Sequence, residues 1–292
     1  MIVVTAPTSN IGSQVVANLL AGSNGGIRLI ARDSSKLSAK TRNSVEIVEG
    51  SHGEADVVNR AFKGADAVFW LVPPNPRAES SHAAYVDFSR PACEAFKTHG
   101  VRRIVDISSF GRGWPKDAGP ISASLAMDDM IAKTGVGLRS LTCGTFMDNV
   151  LRQAESIRGK GVFYGVTPGD FKLPMCCTRD IAAVAAPLLR DSSWSGINEV
   201  PILGPEEISF NQIGDVITEV IGRTVRYQEM PMDAFKTLLT ARMSEGMAQS
   251  MVNMMIAANE GIYRSGSRSN AANSPTTFRY WCETVLKPAV QG

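Results

Sequence analysis

Six short apolar, β-branched runs alternate with segments of helical periodicity in the first half of the chain, and this restricts the fold more than any other feature. The runs are Ile2–Thr5, Ile27–Ala31, Val45–Val48, Ala67–Val72, Arg103–Ile107 and Leu138–Cys143. Each is largely apolar at consecutive positions, as a parallel strand covered on both faces requires. Helical patterns fill the gaps over Asn10–Leu20, Glu54–Phe62, Ala83–His99 and Ser122–Lys133. Asp33-Ser-Ser-Lys36 carries the small polar caps of a further helix start, with Asp33 as N-cap. This alternation predicts an α/β fold built on a doubly wound parallel sheet with right-handed crossovers.

The second half changes character. Short strands are expected at Val162–Gly165, Lys172–Cys177, Glu199–Leu203 and Val225–Glu229, and helices at Arg179–Leu189 and Phe210–Gly222. Pro205–Ser209 reads as the lead into the second of these helices. Met-rich helices follow over 232–262, then a loop at Gly266–Ser274 and a last short helix over Pro275–Leu286. The expected division is a main sheet domain over 1–155 and a smaller mixed α/β lobe over 156–292, some of whose elements return to the main domain. Ligands in open α/β sheets bind beyond the carboxyl ends of the strands, where such a lobe would complete a pocket.

The composition removes several alternatives. A net charge of +2 on 292 residues, with basic side chains scattered, implies neither nucleic acid nor an anionic membrane as partner. Met1–Thr5 enters an apolar run without a basic leader, and no stretch reaches the ~20 apolar residues of a membrane span. The five cysteines (93, 143, 176, 177, 282) show no C-x-x-C spacing and read as reduced thiols of a cytoplasmic protein. His52, His82 and His99 are widely separated, so no metal site is expected.

Between the first strand and first helix lies Val4-Thr5-Ala6-Pro7-Thr8-Ser9-Asn10-Ile11-Gly12. This stretch resembles the T-G-A-T-G-x-x-G turn of the NmrA-like family of atypical short-chain dehydrogenases/reductases. Ala6 and Ser9 replace two of the three glycines, Pro7 replaces an alanine, and Gly12 stands. Further pieces are similar to the family in order and spacing: Leu29–Lys36, Phe62–Pro74, Gly100–Ser109, Thr178–Ala185 and Gly204–Phe210. The resemblance implies a Rossmann-like NAD(P)-binding domain. It places Thr5, Ala6, Thr8, Ser9, Asn10, Ile11 and Gly12 at the pyrophosphate, and Val72, Pro73, Ser108 and Phe146 along the cofactor at later strand ends. The altered turn leaves two readings open, retained dinucleotide binding or a turn kept only for structure.

A cation after the second strand selects a 2′-phosphate where a carboxylate would select a free ribose hydroxyl. Arg32 and Lys36 therefore indicate NADP(H) in preference to NAD(H). The family's Gly-Asp near the adenine is replaced by Gly50-Ser51-His52, which leaves His52 either stacking on the base or serving as a loop histidine.

Alcohol-type relatives use a Tyr-x-x-x-Lys pair, yet no tyrosine occurs between Val101 and Lys160. Asp128 falls where relatives carry Glu, with Ser124 on the same helix face, and neither is expected to replace the pair at neutral pH. Ser109 reads as either a proton donor or a loop residue, so Ser109 and Asp128 are the candidate catalytic residues. An acceptor that is already electron-poor needs little protonation, and the resemblance implies quinone, imine and triphenylmethane-dye reductases. The substrate side is expected at Pro74, Phe110, Trp114, Met147 and Asn149, with Met247 and Met251 from a stripe that also includes Met243 and Met255. That stripe reads equally as core or as a helix-mediated homodimer face. The expected function is an NADPH-dependent reductase of a small conjugated substrate such as a quinone or iminium ion. The alternatives are an NADP(H)-sensing regulatory protein of the NmrA type without turnover, and a cofactor-free protein with an isomerase-like role.

Overall fold

A computed structural model describes residues 1–22, 26–264 and 272–292. The strands, in chain order, are β1 (Ile2–Thr5), β2 (Ile27–Ala31), β3 (Glu46–Glu49), β4 (Ala67–Trp70), β5 (Arg103–Ser109), β6 (Gly137–Cys143), β7 (Thr145–Phe146), β8 (Val162–Gly165), β9 (Lys172–Cys176), β10 (Ile197–Leu203), β11 (Glu207–Ser209), β12 (Arg226–Glu229) and β13 (Ala272–Asn273). Eight of them form one sheet in the order β13-β10-β6-β5-β4-β1-β2-β3, every pairing parallel. The chain winds outward from β1 to β3, then crosses back to β4 and proceeds the other way. The strand order thus reverses between β1 and β4, where the carboxyl ends of an open sheet leave a crevice.

Both faces of the sheet are covered. Val3, Ile30, Val68 and Ile104 pack with the helices Ala55–Phe62, Phe88–His99 and Pro120–Ala132. On the opposite face Val4, Leu29, Phe69 and Val105 pack with the helices Asn10–Gly22 and Thr178–Arg190. Strand side chains alternate between faces, so apolar residues at successive positions supply both layers. The helix read as continuous over Ala83–His99 instead opens into a wider turn at Ala83–Asp87 before Phe88–His99. Pro91 has no N–H to offer the carbonyl four residues earlier, so the regular ladder cannot run through this point.

The second half supplies two kinds of element. Helix Thr178–Arg190 and strands β10 and β13 join the main sheet. Several of the others build a separate core in which Phe163, Met175, Ile208, Ile213, Ile217 and Trp281 are buried. Residues 207–209, read as part of a helix lead, form β11 antiparallel to β9. Ser209 then caps helix Phe210–Ile221 in a reciprocal capping box with Gln212. Of the loop read at 266–274, residues 266–271 lie outside the described residues. The final segment reads Phe278–Trp281, a wider turn Cys282–Leu286, and helix Lys287–Gln291. No helix among the described residues is long and apolar enough to cross a membrane.

The Met-rich region divides into helices Met232–Thr240 and Glu245–Asn259. The second lies across the loops that follow β4 and β5. The Ser244 N–H donates to Pro76 O at 2.9 Å, and the Ser81 hydroxyl donates to that of Ser250 at 3.2 Å. On the other side Asn253 donates to Asp117 at 2.8 Å, and Lys116 pairs with Glu260 at 2.9 Å. Close backbone approach sets this docking. A Cβ on Gly119 would lie 1.9 Å from the Ser250 carbonyl oxygen, and Gly119 also adopts φ +56°. Gly119→Ala is therefore expected to cost about 3 kcal/mol, read by urea unfolding, through strain and loss of this helix contact.

Candidate functional site

The site begins at the turn between β1 and helix Asn10–Gly22. Thr5 is fully buried; its hydroxyl donates to Phe69 O at 3.0 Å and accepts the Leu71 N–H at 2.8 Å. It fastens the end of β1 to β4 and holds the turn above the crevice, so its side chain faces the sheet. Ala6 takes the left-handed conformation at φ +48°, which a family glycine would adopt without strain. Ser9 is the helix N-cap: its hydroxyl accepts the Gly12 N–H at 3.0 Å and donates to Ala6 O at 2.8 Å. Gly12 cannot be larger, because a Cβ there would sit 2.2 Å from Ala6 O.

The turn therefore keeps its shape without two of its glycines. The helix amides of Asn10 and Ile11 remain at the open N-terminus, where the first-turn N–H groups have no intrahelical partner and favour an anion. Thr8 and Asn10 are exposed beside them. These residues fit a pyrophosphate, with Ser9 holding the loop and leaving the anion to its neighbours.

After β2, Arg32 is exposed, and Asp33 caps the short turn Ser34–Lys36 by accepting the Ser35 N–H at 3.0 Å. Lys36 stands 4.0 Å from the Asp33 carboxylate. Glu49, at the end of β3, accepts the Ser34 N–H at 3.1 Å. Both carboxylates lie below their usual range, because the hydrogen bonds from Ser35 and Ser34 respectively stabilise their charge. They are turned to the loop and leave Arg32 as the outward cation.

His52, in the turn between β3 and helix Ala55–Phe62, is turned inward. Its ring is buried, bonded through Nε2 to Leu71 O at 3.0 Å, and set edge-on against Trp70 and Phe88 at 5.1 and 4.9 Å. Desolvation pushes its pKa down to about 4.

At the carboxyl end of β5 lies a cluster of buried polar groups. Asp106 and Ser108, two residues apart, share the face that meets helix Pro120–Ala132, and Ser109 takes the other face. The Ser108 hydroxyl donates to Asp128 Oδ2 at 2.5 Å. Asp106 and Asp128 are 0% and 2% exposed. With both carboxyls ionised, Asp106 Oδ1 and Oδ2 and Asp128 Oδ1 have no donor. The two carboxyls are within hydrogen-bonding reach of one another, and one proton between them pairs two of these three oxygens. Desolvation drives Asp106 up to about 6 and, with the adjacent Asp106 charge, lifts Asp128 well above the carboxylate range.

Folding thus favours the protonated pair, and its contribution to stability is lost as pH rises through that interval. Arg112 approaches Asp128 at 4.0 Å while bonded to Asp129 at 2.7 Å and Glu199 at 2.6 Å. Asp106 was absent from the sequence reading, although a carboxylate within the apolar run Arg103–Ile107 was a visible signal.

The remaining candidates are dispersed. Val72 and Phe110 are buried at strand ends, Pro73, Pro74 and Asn149 are exposed, and Phe146 is half-buried against the main core. Met147 is fully enclosed in the C-terminal core. Trp114 packs against a cluster of Ala118, Ile121, Leu125, Ala257 and Ile262. Met247 is buried, whereas Met243, Met251 and Met255 are half-buried.

A doubly wound parallel sheet, a phosphate-type turn at its first helix and an open carboxyl edge define a dinucleotide-binding fold of the Rossmann class. The chain belongs to the NmrA-like family, whose model matches residues 1–279. It is 30% identical to a (4-alkanoyl-5-oxo-2,5-dihydrofuran-3-yl)methyl phosphate reductase of Streptomyces griseus, over 86% of this chain and 85% of the relative. It is 29% identical to an NAD(P)H azoreductase of Xenophilus azovorans, over 87% and 85%. An Escherichia coli NADPH-dependent quinone oxidoreductase solved with NADPH shares its fold, with TM-score 0.79 at 21% identity over 100% of this chain and 99% of that one.

His52 yields a prediction for acid stability. Its folded pKa is depressed, so its contribution is full above the unfolded value near 6.5 and is lost as pH falls towards about 4. The loss amounts to about 3 kcal/mol. In His52→Gln the difference in urea-unfolding free energy between pH 7.5 and pH 4.5 is expected to shrink by about 2–3 kcal/mol.

Proposed function

We propose that the chain is an NADP(H)-dependent reductase that transfers hydride to a small, conjugated, electron-poor organic acceptor. The observation that carries this reading is the turn after β1, where left-handed Ala6, the Ser9 cap and the packing of Gly12 hold the helix N-terminus open. In this reading the amides of Asn10 and Ile11 and the side chain of Thr8 hold the pyrophosphate. Arg32 meets the 2′-phosphate through its forked donors, with Lys36 alongside, and this is the basis for NADP(H) over NAD(H). Bound nicotinamide supplies the hydride. Val72, Pro73, Ser108 and Phe146 line its half of the crevice, and Pro74, Phe110 and Asn149 stand on the substrate side.

Family relatives are named for an unsaturated lactone phosphate, azo compounds and quinones. These acceptors share a conjugated system that takes up hydride without a strong acid of the Tyr/Lys kind. That fits a chain whose helix Pro120–Ala132 contains no tyrosine or lysine.

Calorimetric titration tests the cofactor first. Micromolar binding of NADPH with weaker NADH is expected, and Arg32→Ala should weaken NADPH about tenfold or more while leaving NADH unchanged. Oxidation of NADPH should then follow with unsaturated lactones, quinones or azo compounds. Absence of binding to either nucleotide would overturn the reading. Unequal binding of NADP⁺ and NADPH without turnover would replace it with a redox-sensing regulator.

A further inference from the structure

The buried carboxyls beside Ser108 deepen the reductase reading and rest upon it. We propose that Asp106 and Asp128 hold one proton between them and that Ser108 delivers it to an uncharged acceptor, such as an unsaturated lactone, enone or quinone. Three observations converge. The Ser108 hydroxyl is bonded to Asp128 Oδ2 at 2.5 Å, near the carboxyl end of β5, one strand beyond the β4 that borders the crevice. Both carboxyls are enclosed, and three of their four oxygens have no donor, two of which a proton held between the carboxyls would pair. The nearby cation, Arg112, stands at 4.0 Å and is already shared between Asp129 and Glu199, so it does not neutralise two charges.

The groups facing the pair come from each neighbouring element. Ser140 of β6 stands beside Asp106 across the strand pair, and Arg112 comes from the loop after β5. Asp129 lies on the same helix as Asp128, and Glu199 lies on β10. Tyr85, from the segment packed on that helix, is neutral, since burial raises its phenol to about 12. Asp87 of that segment is occupied by Arg90 and His82, and Glu245 of the helix above by Lys236.

The chemistry balances as follows. Hydride reaching the β-carbon of a neutral conjugated carbonyl forms a C–H bond and sends an electron pair to the carbonyl oxygen. For this the Ser108 hydroxyl turns to that oxygen and gives up its proton, while Asp128, protonated on Oδ2, passes its proton to Ser108 Oγ. The carboxyl pair, left with two charges, recovers a proton from water. A quinone likewise requires one proton with each hydride. An iminium ion or a cationic dye requires none, because hydride alone neutralises it. A proton reserve at this position therefore selects for neutral acceptors.

The test has an arm independent of turnover. In cofactor-free protein labelled with ¹³C at aspartate carboxyls, NMR titration should show one proton retained by the pair at pH 7. Assignment uses Asp106→Asn and Asp128→Asn. In Asp128→Asn and in Ser108→Ala, turnover of a neutral acceptor relative to a cationic dye should fall about a hundredfold. In Asp128→Asn the NADPH affinity should stay within about twofold, and Asp128→Glu should restore part of the ratio. Equal loss on both acceptors, or a titration with both carboxyls ionised at pH 7 while NADPH is still oxidised, would overturn the relay and leave the reductase. Absence of nucleotide binding would overturn the reductase reading and the relay with it.

Discussion

Parallel pairing across eight strands, with the reversal between β1 and β4, is the constraint on which the rest of the molecule depends. A parallel sheet must be covered on both faces, so its helices occupy the sides and its polar chemistry is confined to the carboxyl edge. Thr5 joins β1 to β4 there through bonds to Phe69 and Leu71. The same Leu71 carbonyl region receives His52, so the floor of the crevice is closed by buried polar contacts. Helix Glu245–Asn259 spans the loops beyond β4 and β5 and joins the later part of the chain to that edge.

The first turn illustrates how a local motif survives the loss of its usual residues. Two functions of glycine are separated here. Ala6 accepts the left-handed conformation with some strain, and Ser9 substitutes an N-cap for close backbone approach. Gly12 remains because its neighbour is a backbone carbonyl, which cannot turn aside as a flexible side chain could.

A buried pair of carboxyls is costly, and its position explains how the fold tolerates it. Asp106 sits within a strand and Asp128 on the helix packed over it, so sheet and helix together remove both from water. Shared protonation lowers the charge to be desolvated, while Ser108, Ser140 and Arg112 stabilise what remains. These partners come from separate elements, so the cluster exists only when the layers are assembled.

The sequence by itself determined the main architecture. Runs such as Ile27–Ala31 and patterns such as Ala55–Phe62 depend on local periodicity, and their order led directly to the doubly wound sheet. It also indicated the turn at residues 5–12, the cap at Asp33 and the outward Arg32, because these lie within a few residues of one another. Tertiary structure decided which side chains met. Ser108, rather than Ser109, reaches Asp128 because one step along a strand changes the face. His52 is enclosed by Trp70 and Phe88, residues remote in sequence, and Met147 is placed in the C-terminal core. Asp106 acquired its character from the helix laid over it, since desolvation and a neighbouring charge are properties of the assembled layers.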